Sequence, residues 1–140
     1  MDLAWALEHV RPRHQAALVT IHADGRPQLT HISYAMDAAG TVRISITDTR
    51  VKTRNLRRDP RALLHVAGDN FWDYVVLDGT VELSAVAAEP HDGAADELVE
   101  VYRAIGGEHP DWEEYRRVMT QDRRLVARFR AARAYGVARP

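Results

Sequence analysis

Cysteine is absent from the 140 residues, which removes disulfides, thiolate metal ligands and a cysteine nucleophile at one stroke. Lysine is almost absent: eighteen of the nineteen basic residues are arginine, and Lys52 is the single lysine. No apolar run approaches the roughly 18 residues needed to cross a bilayer, and MDLAWALEHVRPRH has neither the basic start nor the small-residue cleavage site of a secretory signal. A soluble, cytoplasmic chain with no membrane partner is expected. The histidines at 9, 14, 22, 31, 65, 91 and 109 never fall three or four residues apart, so no helical turn pairs two imidazoles and no metal site is expected. A formal net charge of -1, with no helix-turn-helix or RNP-like signature, argues against nucleic acid as a partner.

What remains is an ordinary globular composition, 46% hydrophobic and 28% charged, at a length that suits one domain spanning 1–140. DLAWALEHV places Leu3, Ala6, Leu7 and Val10 at helical spacing before Pro12. The stretch QAALVTIHADGRPQLTHISYAMDAAGTVRISITDT holds three β-branched-rich runs separated by ADGRP and DAAG, turn chemistry that predicts a three-stranded antiparallel meander. RALLHVAG and YVVLDGTVELSAV predict two more strands, the second with a bulge or close approach at Gly79. Helices are predicted from Pro90 to Ile105 and from Asp111, where Asp111 and Glu114 have capping-box spacing. RRLVARFRAARAYGVAR alternates Leu125, Ala127 and Phe129 against Val126, Arg128 and Arg130, as a closing strand should. The fold class expected is mainly β with flanking helices, a six-stranded antiparallel barrel, closed or partly closed, since no regular strand–helix alternation demands parallel pairing.

The positive charge is concentrated. Arg50, Lys52, Arg54, Arg57 and Arg58 fall within nine residues of DTRVKTRNLRRDP. If the segment is helical from Arg50, the four arginines share one stripe and Lys52 falls on the opposite side. If the chain stays extended through Lys52, the Arg50 and Lys52 side chains point the same way, and the helix start beyond them adds free backbone N–H groups. A guanidinium fork, a compact ammonium and a helix N-terminus together suit a phosphate. The plainer alternative is a solvated basic face paired with nearby acids.

Four stretches, DGRPQLTHISYAMD, VKTRNLRRDPRA, FWDYVVLDGTVEL and YRAIGGEHPDWEEYRRVMTQDRRLV, resemble in order the pyridoxamine 5'-phosphate oxidase-like split β-barrel family. The resemblance is strongest to its actinobacterial branch of coenzyme F420-dependent proteins and covers about Ala16 to Tyr135. It implies a homodimer with two cofactor sites at the subunit interface, each using both chains. Arg50, Lys52, Thr53 and Asn55 match the segment that grips the phosphate and ribityl part of the flavin or deazaflavin. Gln28, Leu29, Thr30 and His31 match the strand whose edge lies along the tricyclic ring, and Trp72 and Tyr74 match aromatics that close the pocket from the other subunit.

The activity implied is an oxidoreductase in which reduced F420 gives a hydride to a small electron-poor molecule, with a proton from solvent or from an acid such as Tyr74 or His31. No catalytic residue is assigned. Two alternatives stay open: an FMN-dependent oxidase or reductase of the same fold, and a non-catalytic F420-binding or storage protein. Pyridoxamine phosphate oxidation itself is disfavoured, because RAARAYGVARP stands where the resemblance would lead one to expect an RL ending.

Overall fold

A computed structural model describes residues 1–138; Arg139 and Pro140, the end of RAARAYGVARP, lie outside the described residues. Helix α1 (Leu3–Val10) is capped by Asp2, whose carboxylate accepts from Trp5 N at 2.8 Å. Strands β1 (Gln15–Ile21) and β2 (Pro27–Ser33) form a hairpin whose turn uses Gly25 at φ 89°. Next come β3 (Ala35–Met36), β4 (Val42–Thr47), helix α2 (Val51–Arg58), β5 (Arg61–Ala67) and β6 (Tyr74–Leu83). Helices α3 (Gly93–Gly106) and α4 (Trp112–Gln121) follow, capped by Asp92 and Asp111, and β7 (Arg124–Val137) ends the chain's described part.

All seven strands belong to one antiparallel sheet in the order β2-β1-β5-β6-β7-β4-β3. The expected count of six strands, and the three-stranded meander within it, are corrected here. The run QLTHISYAM is broken at Tyr34, so β2 pairs with β1 while β3 pairs with β4, and β4 pairs onward with β7. The cause is tertiary. Tyr34 turns inward, 1% exposed, its hydroxyl donating to Val10 O at 2.7 Å and its N–H to His14 O at 2.8 Å. One residue thus joins the two ends of the sheet, which can be covalent neighbours only if the sheet curls round. The result is a half-barrel left open along a split between β2 and β4.

Leu18, Ile44, Leu64, Leu77, Leu125 and Phe129 fill the inside of the curl, with Ala6 and Val10 of α1 and Leu56 of α2 packed against them. Val126 points the other way, into a second cluster with Leu98 and Val101 of α3 and Tyr115 and Met119 of α4. One strand therefore separates two cores, as the alternation in RRLVARFR requires. The bulge falls at Asp78/Gly79, where a Cβ on Gly79 would collide with the Arg130 carbonyl. No helix among the described residues is long and apolar enough to cross a membrane.

Candidate functional site

A cleft of about 730 Å³ occupies the split. The edge of β2 (Gln28, Thr30, Ile32) and the end of β4 (Ser45, Ile46, Thr47) make its floor, and Val101, Tyr102 and Ile105 of α3 with Tyr115 and Met119 of α4 make an apolar wall. Burial pushes the Tyr115 hydroxyl up to about 12, so it stays a neutral donor, bonded to Leu98 O at 3.0 Å. Arg50, Lys52 and Arg124 close the third side, and no Asp or Glu is among the lining residues.

Helix α2 starts at Val51, with Arg50 as an extended N-cap (φ -75°, ψ 152°) and no side-chain cap. The geometry lies between the two alternatives the sequence leaves open: Arg50 is extended, and Lys52 is already in the first turn. Both line the cleft beside the helix's first, intrahelically unpaired N–H groups. Lys52 is half-buried and its nearest polar side-chain partner is Thr30 Oγ1, at 3.4 Å. Burial, then the charges of Arg50 and Arg124, hold its ammonium below the usual 10.5. A charge held at a cost, with no acid beside it, calls for an anion.

The other basic residues of the segment turn elsewhere. Arg57 pairs with Asp48 at 2.7 Å, Arg58 donates to Ile21 O at 2.6 Å, and Arg54 reaches only Thr49 O at 3.4 Å. Thr53 and Asn55, expected to grip phosphate, are buried, and their side chains hold α2 in place. Thr53 Oγ1 donates to Thr47 O at 2.7 Å, and Asn55 Nδ2 donates to Thr20 Oγ1 at 3.1 Å. Thr20 in turn donates to Gln28 Oε1 at 3.1 Å, so a chain of bonds from α2 through β1 orients a glutamine on the cleft floor.

Of the four β2 residues expected at the ring, Gln28, Thr30 and His31 border the cleft. Leu29 is 60% exposed on the opposite face of the strand, where His31 also points. Trp72 and Tyr74 do not reach this cleft. Trp72 is 74% exposed in the loop before β6, edge-on to Phe71, and Tyr74 stacks on His65 with centroids 5.5 Å apart. The residue missed from sequence is Arg124. It stands more than sixty positions beyond the basic segment and is brought there by β4–β7 pairing, Thr47 opposite Arg124.

A model of the pyridoxamine 5'-phosphate oxidase family matches residues 6–138. The chain belongs to that family. Among solved structures, a conserved hypothetical protein of Mycobacterium tuberculosis is similar at 26% identity and TM-score 0.70, covering 96% of this chain and 82% of its own. An F420 reductase matches at 20% identity and TM-score 0.69, covering 91% and 94%, and a heme storage protein of Vibrio cholerae at 14% and 0.68, covering 97% and 95%. The last two likenesses are of fold. Family membership accounts for the half-barrel and makes a flavin-type cofactor the natural occupant to test against the cleft. The lining fits one: cations and a helix start at one end, a strand edge and an apolar wall beside them.

Proposed function

We propose that this member of the family is an oxidoreductase that binds coenzyme F420 in the cleft and reduces a small electron-poor organic molecule. The observation that carries the reading is the acid-free cleft into which Arg50, Lys52 and the uncapped start of α2 converge. Arg50, Lys52 and the α2 N–H groups would hold the phosphate, Gln28 and Thr30 would lie along the ring, and the α3–α4 wall would shield it from water. When bound, the deazaflavin supplies the hydride, so the protein needs only to orient it and exclude competing reactions. No acid–base triad is demanded of the chain. FMN offers the same kind of phosphate and is the second candidate.

A homodimer belongs to this proposal. Leu29, His31, Tyr74 and Tyr135 share one outer sheet face, with Trp72 at its margin, so in a pair of chains these side chains can serve the partner's cleft rather than their own.

Separate titration of the purified protein with F420 and with FMN tests the cofactor. Binding of F420 in preference to FMN, followed by oxidation of the bound reduced form by a panel of enones or quinones, is the expected outcome. Binding without turnover by any acceptor leaves a storage protein, and preference for FMN replaces the deazaflavin.

A further inference from the structure

The cleft holds one more cation than the basic segment supplies. Arg124 reaches it from the first position of β7, and its surroundings are poor in partners. Nη1 lies 3.4 Å from Ser45 Oγ, and Nε, covered although the side chain is 33% exposed, makes no hydrogen bond among the described residues, its nearest acid being Asp122 Oδ2 at 4.0 Å. A buried guanidinium N–H left unpaired is rare in a settled protein interior, because arginine's five donors normally find acceptors. The backbone that delivers it is unusual too. Arg123 has φ 55°, the only described non-glycine residue at positive φ, in a turn between α4 and β7. That turn is fastened to α2 by Asp48. The Asp48 carboxylate takes Arg123 at 2.8 Å and Arg57 of α2 at 2.7 Å, and its N–H donates to Arg123 O at 2.9 Å. Strained backbone that persists beside a cleft persists because its neighbours over-determine it.

We propose that Arg124 is a third arm of the anion site, set beside Arg50 and Lys52 by the Arg123 turn that Asp48 locks to α2. The inference rests on the reading that the cleft takes a phosphate-bearing cofactor, and it adds the class of tail: three cations with no acid among them suit a phosphate ester carrying more than one negative charge. The exposed third of the Arg124 side chain is what a ligand would meet, since Nε itself is sealed from solvent. Arg124 lines the cleft together with Lys52 of the basic end and Tyr115 of the apolar wall.

The test compares wild type with Arg124→Gln and Arg124→Lys, each titrated with F420 and with the dephosphorylated deazaflavin, at low and high salt. Thermal unfolding of the ligand-free proteins runs alongside. Arg124→Gln should weaken F420 binding roughly ten- to a hundredfold, the worth of one charge-assisted bond pair. It should also flatten the salt dependence and leave the dephosphorylated compound unaffected. Arg124→Lys should recover part of the loss. The ligand-free Gln variant should melt no lower than wild type, because it sheds a covered donor that makes no hydrogen bond and only a distant ion pair. Unchanged F420 affinity, an equal loss for both compounds, or a lowered melting point would each overturn the assignment and make Arg124 a structural residue. If FMN proves to be the cofactor, the same comparison runs with FMN and riboflavin. Wild-type protein that binds neither cofactor removes the cofactor reading itself, and this inference with it.

Discussion

Lys52 is the residue on which the anion site can be tested most directly. Its ammonium titrates below 10.5 in the folded chain because burial and two guanidinium charges disfavour the charged form. The sign follows. Between the depressed folded value and the unfolded one, the unfolded chain binds more protons, so the ligand-free fold gains stability as pH rises through that window, and below it the charge is a standing cost. A bound anion reverses this by favouring the ammonium. F420 affinity should therefore be flat at neutral pH and fall as pH rises through the depressed Lys52 value, a fall that Lys52→Arg should abolish; an affinity indifferent to alkaline pH would remove Lys52 from the site. Lys52→Ala should weaken binding at pH 7 by roughly tenfold or more, read by the same titration. Asp48→Asn belongs beside it. Loss of the carboxylate frees both Arg57 and Arg123, so the variant should bind F420 several-fold less tightly although Asp48 does not line the cleft. The basic cluster was visible in the chain as a run of letters, yet its division of labour was not. Sequence spacing cannot say that Arg57 turns to Asp48 while Arg50 and Lys52 face the cleft, and Arg124 carries no local mark at all.

At the scale of elements, most of the fold could be read because apolar period and turn chemistry agreed. The β1–β2 hairpin, β5, the long β6 with its kink at Gly79, and the outward Val126 of β7 all follow from patterns in consecutive residues. The break between β2 and β3 does not. QLTHISYAM contains neither glycine nor proline, and what breaks it is a long-range demand: Tyr34 is drawn into the core toward α1. Tyr34→Phe should cost only about 1 kcal/mol in chemical denaturation, since Val10 O keeps a second donor, Arg13 N at 3.1 Å. Tyr34→Ala should cost about 3 to 5 kcal/mol, because it empties a large core site at the joint between the two sheet ends. If the two variants prove equally stable, packing of the Tyr34 ring is not what holds the sheet curled.

For the whole molecule the register decides which surfaces are available. Reading across the paired strands, His31, Ala17, His65, Val76 and Tyr135 stand in one row, and Leu29, Val19 and Leu63 in the next, all on the face turned away from the inner core. Leu29 at 60%, Tyr135 at 49% and Val137 at 51% exposure are large apolar side chains left to water on that face, with Phe71 and Trp72 beside it. A patch of this kind on a lone chain is a liability, and a second copy covers it with a self-complementary surface. The protein is therefore expected to sediment at twice its 15.8 kDa chain mass. Tyr135→Glu, which sets an unpaired charge at one end of that row, should shift it to monomer at micromolar concentration while the inner core stays folded by circular dichroism. Because the proposed site draws Trp72 and Tyr74 from the partner, F420 affinity should fall with the dimer, in step with the fraction dissociated. A monomeric Tyr135→Glu protein that binds F420 as tightly as wild type would show that each cleft is complete within one chain, and would leave Trp72 and Tyr74 as interface residues without a part in cofactor binding.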